Sequence, residues 1–209
     1  MEQSTDVDAD RFRELAGRVI EEARARPEMG RLVLELEAHG ASLVGLAERQ
    51  CTAMRVRPVA PDDLEACQTI VRGLPDFFTE DVPDKIASDL DAHHGWVITK
   101  DDGVVAFAVV EYRSSRAAEI LWIAVRRDQR NQGVGATLLE HVLDALAADD
   151  IALIQAKTLD ASADYEPYIA TRTFWEHHGF VRIDTIDPLP GWQPGNPAAI
   201  QVCALTSTR

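Results

Sequence analysis

The feature that most constrains this chain is the loop Arg130-Asn131-Gln132-Gly133-Val134-Gly135, which joins a strand-like run to a helix-like run. Residues 120–125 are all apolar, as in a buried strand, and residues 135–148 carry leucines at helical spacing. Small residues at a helix start leave the first backbone N–H groups uncovered, at the positive end of the helix dipole. The sequence therefore predicts a seat for the pyrophosphate of a cofactor at this loop.

Two other phosphate-binding patterns do not fit this loop. The dinucleotide fingerprint Gly-x-Gly-x-x-Gly requires a third glycine where this chain has Leu138. A Walker loop requires Gly-Lys-Ser/Thr, which does not occur in the sequence. A different kind of anion cradle is therefore expected.

Composition excludes some classes of function. The formal net charge of −14 argues against a protein that coats nucleic acid or binds an anionic membrane. The three cysteines are too widely spaced along the sequence to form a metal-ligand motif, and their number is odd. We therefore expect free thiols in a reducing compartment. The acidic N-terminus does not resemble a signal peptide, so we expect a cytoplasmic protein.

The first 52 residues differ in pattern from the rest of the chain. Apolar residues recur at helical spacing over residues 8–26 and 29–50, which predicts two helices. We therefore expect a helical N-terminal extension over residues 1–52 and one domain over residues 53–209. The two helices pack either on the main domain or on a partner subunit, so a homodimer is one alternative.

Strands and helices alternate in the second region. Strands are predicted over residues 54–59, 96–99, 104–112, 118–125, 151–157, 180–186 and 200–205. Helices are predicted over residues 61–72, 83–92, 135–148 and 170–178. This pattern is typical of an α/β or α+β fold around a mixed sheet.

The order of these motifs resembles the GNAT superfamily of N-acetyltransferases. Arg130 to Gly135 matches the acetyl-coenzyme A motif of that family, and Phe174-Trp175-Glu176-His177-His178-Gly179-Phe180 matches its second motif. The resemblance covers about residues 54–205. It implies a mixed, mostly antiparallel central sheet flanked by helices, with acetyl-coenzyme A as co-substrate.

The resemblance also assigns cofactor-binding positions. Backbone N–H groups of the loop would hold the pyrophosphate, and the end of the preceding strand would pair with the pantetheine arm. Ile123 would donate its N–H to the thioester carbonyl and so favour the oxyanion that forms during attack. The residues expected to bind the cofactor are Ile123, Ala124, Val125, Arg130, Asn131, Gln132, Gly133, Val134, Gly135, Ala136 and Trp175.

A base is required because only about one alkyl ammonium in a thousand is deprotonated at neutral pH. Glu119 is the first candidate, since its spacing to Gly133 equals that of the base in histone-acetylating members of the family. The alternative is that Glu119 is a solvated carboxylate at the edge of a strand. Glu111, on the neighbouring strand, is the competing candidate for the base or for binding a cationic substrate.

The candidates for a general acid are tyrosines. Many members of the family have a tyrosine where this chain has Trp175, and an indole N–H is not a useful acid. Tyr168, or its neighbour Tyr165, could take that role, the alternative being a half-buried ring with its hydroxyl at the surface. A coenzyme A thiolate can also leave without an acid, because its thiol has a pKa of about 8.5.

No metal site is expected. His93-His94 and His177-His178 are adjacent pairs, whose side chains point in different directions on a helix. Three other side chains stay open between two roles. Lys157 and Arg172 either reach cofactor phosphates or lie at the surface, and Trp192 either lines an acceptor pocket or anchors its loop.

The sequence thus predicts transfer of an acetyl group from acetyl-coenzyme A to an amine, by direct attack in a ternary complex. The acceptor is a small molecule or an exposed amino group on a protein. Two alternatives remain: a non-catalytic module that senses acyl-coenzyme A, and an interaction protein that acts through the N-terminal helices.

Overall fold

The computed structural model describes residues 54–100 and 103–205. The helices predicted over residues 8–26 and 29–50 lie outside the described residues. The division of the chain at residue 53 therefore stays a prediction.

Seven strands and four α-helices follow one another in the described segments. The strands are β1 (Arg55–Pro58), β2 (His94–Lys100), β3 (Gly103–Ser114), β4 (Ala117–Val125), β5 (Leu153–Leu159), β6 (Val181–Ile186) and β7 (Ala198–Ala204). The helices are α1 (Leu64–Arg72), α2 (Val82–Ala92), α3 (Val134–Ala148) and α4 (Tyr168–His177). Short 3-10 turns at Pro61–Asp63, Arg127–Gln129 and Ala161–Ala163 complete the path. Each predicted element of this region is confirmed, with ends that agree to within about two residues when the 3-10 turn Pro61–Asp63 is counted with α1.

All seven strands form one sheet in the order β1-β2-β3-β4-β5-β7-β6. The β2–β3, β3–β4, β5–β7 and β6–β7 pairs are antiparallel, whereas β4 and β5 run parallel. A parallel pair needs a crossover connection, and α3 provides it. The predicted mixed, mostly antiparallel sheet is therefore confirmed.

Helices cover both faces of the N-terminal half of the sheet. On one face α1 and α2 pack on a buried cluster that includes Val97, Phe107, Val109 and Ala124. Side chains alternate between faces along a strand, so Ala106, Ala108 and Val110 point to the opposite face, where α3 packs with its own buried leucines. Because α3 crosses β4 directly after the Arg130–Gly135 loop, this packing fixes the loop at the end of β4.

None of the helices in the described segments has the length and apolar content that crossing a membrane would require.

Candidate active site

The sheet opens between β4 and β5. Their pairing runs from Ala117 opposite Leu153 to Ile120 opposite Ala156, and stops there. Strand β4 nevertheless continues to Val125, and β5 continues to Leu159 while still paired with β7. Leu121 is an extra residue in the β3–β4 register, a bulge that increases local twist where the two strands part. The result is a gap with a free strand edge on its β4 side.

The free edge of β4 presents backbone donors to this gap. The N–H of Arg126 donates to the carbonyl of Val105 on β3, at 2.8 Å. In an antiparallel pair the hydrogen-bonding direction alternates from residue to residue. The N–H groups of Val125 and Ile123 therefore point away from β3 and into the gap, as a strand-like ligand would require.

The loop after β4 turns sharply into α3 at the position where the sequence predicts an anion cradle. Asn131 and Gly133 have positive φ values of 60° and 78°, which turn the chain sharply into α3. Neither a side-chain cap nor an acidic residue occupies the first turn of this helix. Its first N–H groups and its positive dipole end are therefore left for an external anion. A Cβ on Gly135 would lie 3.4 Å from Val125 Cγ2 and 3.5 Å from Phe174 Cε2, so α3 approaches β4 and α4 closely there.

Arg130 lies beside the cradle and is held by an aromatic ring. Its guanidinium carbon is 4.5 Å from the centroid of the Phe77 ring, a cation–π contact. Its charge is thereby kept near the start of α3, where it would favour a bound anion.

A cleft of about 840 Å³ contains both the gap and the cradle. It continues past them to the loop between α1 and α2 and to the loop between β6 and β7. Its walls include Leu74, Phe77, Phe78, Asp81, Lys85, Asp89, Glu119, Trp122, Ile123, Gly135, Lys157, Thr158, Tyr168, Phe174, Trp175 and Trp192.

Glu119 reaches the cleft wall from β4 but is not solvated, since only 2% of its side chain is exposed. Its Oε1 pairs with Lys157 Nζ at 2.6 Å, and its Oε2 accepts from Arg113 at 2.5 and 2.9 Å and from Gln155 at 3.2 Å. The expected alternative, an exposed carboxylate, is therefore wrong. Both oxygens already face cations, which stabilise the charged carboxylate and oppose its taking up a proton.

The competing candidate Glu111 lies opposite Glu119 on β3 and pairs with Arg113 at 3.1 Å. It is not among the residues that line the cleft. Its position does not support a role as base.

Tyr168 lies at the start of α4 with its hydroxyl turned inward. The hydroxyl donates to the carbonyl of Phe77 at 2.9 Å, and the two rings lie 5.2 Å apart. Burial raises the pKa of Tyr168 to about 12. Tyr168 is half-buried, as the alternative expects, but its hydroxyl is bound to the α1–α2 loop through the Phe77 carbonyl. Whether Tyr168 acts as an acid stays a prediction.

Trp175 occupies the core side of the cleft, with 4% of its surface exposed. Its ring packs edge-on against Phe180 at 4.7 Å and against Phe174 at 5.4 Å. It therefore supports the wall formed by α4 rather than offering a proton.

The structure also gives the positions of the three side chains for which two roles were open. Lys157 pairs with Glu119, and Arg172 donates to the Leu159 carbonyl at 3.4 Å. Trp192 lines the cleft from the β6–β7 loop. Within residues 54–100 and 103–205, no group of three or more histidine, cysteine or acidic residues could hold a metal ion.

Sequence reasoning missed the contribution of the α1–α2 region. Phe77, Phe78 and Asp89 all line the cleft, although no role was assigned to residues 61–92. Trp122 was placed in a strand without a function, yet its indole donates to Asp89 at 2.5 Å. The adjacent phenylalanines in a loop were the one available signal, because exposed loops seldom carry two aromatic residues without a binding or packing role.

Comparison with known proteins agrees with this geometry. Residues 91–182 match the family model described as the acetyltransferase (GNAT) domain. No curated protein matches the sequence significantly.

Many solved structures share the fold. The ribosomal-protein-S18-alanine N-acetyltransferase of Escherichia coli is 21% identical with a TM-score of 0.62, over 73% of this chain and 94% of that one. Ard1 of Thermoplasma volcanium is 20% identical with a TM-score of 0.61, over 74% and 99%. A GNAT family acetyltransferase of Elizabethkingia anophelis with acetyl-CoA bound is 18% identical with a TM-score of 0.54, over 73% and 99%.

Proposed function

We propose that this chain is an acetyltransferase of the GNAT family, whose domain model matches residues 91–182, and that it moves an acetyl group from acetyl-coenzyme A to an amine in a ternary complex. The observation that carries the proposal is the uncapped start of α3 beside the free edge of β4. Together they offer backbone N–H groups to a ligand that has both a pyrophosphate, which would lie at the start of α3, and amide groups, which would lie along β4.

The cofactor would lie across residues 123–136. In our proposal the N–H groups of the loop and of the first turn of α3 bind the pyrophosphate, with Arg130 adding charge. The inward-pointing N–H groups of Ile123 and Val125 bind the pantetheine arm and the thioester carbonyl. The thioester carbon is then placed at the widest part of the cleft, where an acceptor can approach.

The reaction needs few protein groups. The amine nitrogen forms a bond to the acetyl carbon, and the carbon–sulfur bond breaks after a tetrahedral intermediate. The Ile123 N–H stabilises the negative oxygen of that intermediate, and holding both reactants in one cleft supplies much of the rate. The thiolate of coenzyme A leaves without an acid, because its pKa is about 8.5, well below that of Tyr168.

Proton removal from the amine is assigned to Glu119. In our proposal the acceptor amine approaches Oε1, the oxygen that also faces the Lys157 ammonium at 2.6 Å. Arg113 would keep Oε2 in place throughout, which holds the carboxylate in one orientation.

Titration calorimetry with coenzyme A and acetyl-coenzyme A tests the cofactor assignment. Gly135→Asp should abolish binding, because its charge would lie against the pyrophosphate. Gly135→Ala is the matched control: its methyl lies at ordinary contact distance from Val125 and Phe174, so affinity should stay within about threefold. Equal binding by both variants and the unmodified protein would contradict the proposal, as would the absence of binding.

A non-catalytic sensor of acyl-coenzyme A remains the second candidate. The observations that favour it are Trp175 at the position of the usual tyrosine and the double ion pairing of Glu119. Release of free thiol from acetyl-coenzyme A in the presence of a panel of primary amines separates the two. Tight binding with no turnover of any amine would favour the sensor.

A further inference from the structure

Four carboxylates of the described residues line the cleft, and three of them form ion pairs with basic side chains. Asp76 pairs with Arg127 at 3.1 Å, and Asp81 pairs with Lys85 at 2.6 Å. Glu119 pairs with Lys157 and Arg113. Asp89 differs from these: within the segments that the structure describes, its side-chain partner is the uncharged Trp122 indole, bound to Oδ2 at 2.5 Å. Its negative charge is therefore available to a ligand.

The surroundings of Asp89 suit an organic cation. Asp89 lies on α2, half-buried in the wall of the cleft, and Trp122 lies on β4 directly before Ile123. The Phe78 ring is 6.2 Å from that of Trp122 and also lines the cleft. A carboxylate next to aromatic rings binds ammonium groups through charge and through the negative faces of the rings.

We propose that the acceptor is an amine with a second positive charge, and that Asp89 binds this second group. The inference rests on the proposed acetyl transfer. The amine that attacks must have lost its proton, so a group held as a permanent cation has to be a different one. Asp89 is thus a positioning residue that selects diamines and related dications over neutral or anionic amines.

Three primary amines with the same four-carbon spacing test this selection: 1,4-diaminobutane, 4-amino-1-butanol and 4-aminobutyrate. The second group is a cation, a neutral hydroxyl or an anion. We expect kcat/KM for the diamine to exceed that for the amino alcohol by about tenfold, the effect of one charge-assisted contact. The amino acid should be the poorest acceptor.

Asp89→Asn should remove the preference, so that the diamine and the amino alcohol react about equally. The asparagine oxygen can still accept from Trp122, so the fold is preserved, and the KM for acetyl-coenzyme A should stay unchanged. Asp91→Asn is the matched control, since it removes the same charge from an exposed position of α2 that does not line the cleft. It should leave the preference intact.

The proposal is overturned if the unmodified protein does not prefer the diamine, or if Asp89→Asn keeps that preference. Should none of the three amines react, calorimetry with 1,4-diaminobutane decides, with and without coenzyme A present. Binding that Asp89→Asn loses supports the site, whereas no binding to the unmodified protein refutes it. Failure of acetyl transfer itself is seen separately, as no binding of coenzyme A or no turnover of any amine.

Discussion

Replacing Glu119 by glutamine separates its two possible roles, in the ion-pair network and in the reaction. The substitution keeps the shape of the side chain but removes the charge that faces Lys157 and Arg113. Breaking a fully buried ion pair costs about 3–5 kcal/mol. Here Lys157 is 26% exposed and Arg113 47% exposed, so water partly compensates both cations, and we expect a loss of about 2 kcal/mol. This corresponds to a fall in Tm of about 4–8 °C.

The rate distinguishes a base from a purely structural carboxylate. If Glu119 takes the proton, kcat should fall by about 10²-fold or more in Glu119→Gln, measured as thiol release well below the lowered Tm. Calorimetry should give an unchanged affinity for acetyl-coenzyme A, because the cradle lies elsewhere. Glu111→Gln is the control: it removes a carboxylate that also pairs with Arg113 but does not line the cleft, and should leave kcat unchanged.

Two results would refute this reasoning. A Tm equal to that of the unmodified protein would mean that the ion pairs of Glu119 with Arg113 and Lys157, at 2.5 and 2.6 Å, do not stabilise the fold. A kcat within threefold of the unmodified value would leave Glu119 as a structural residue and require another route for the proton.

Two further predictions concern Tyr168, which lines the cleft, and Asp160, a buried carboxylate that does not. Tyr168→Phe should lower stability by about 1 kcal/mol in urea unfolding, because the Phe77 carbonyl loses its donor. Its kcat should stay within about threefold, since a hydroxyl with a pKa of about 12 is a poor acid for a thiolate, and a hundredfold loss would restore the acid role. For Asp160, burial opposes the charged form, but donors on Ser162, Thr185 and Arg182 outweigh it and lower its pKa from 3.8 to about 2. It should therefore contribute about 2 kcal/mol above pH 4. Urea titrations should show this lost as the pH falls from 3.8 towards 2, whereas Asp160→Asn should be less stable at neutral pH and lack that dependence.

Local features of this chain could be predicted from the sequence, whereas contacts between distant residues could not. The helix start at Val134 was predicted to within one residue, because its glycines and its leucine spacing are local. The partners of Glu119 were not predicted. Gln155 and Lys157 are 36 and 38 positions away along the chain and reach Glu119 only through the parallel register of β4 and β5.

The amino-acid sequence by itself determined the strands, the helices and the glycine-containing turn after β4, since these depend on neighbouring residues and on backbone conformations that glycine permits. Only the tertiary structure decided where β4 and β5 part and that Asp89 lies against Trp122, 33 positions later. Those contacts depend on strand register and on the packing of α2 over the sheet. The local sequence pattern specifies neither the strand register nor this packing. Several pairings of similar apolar strands fit the same pattern, and they differ mainly in which distant side chains they bring together.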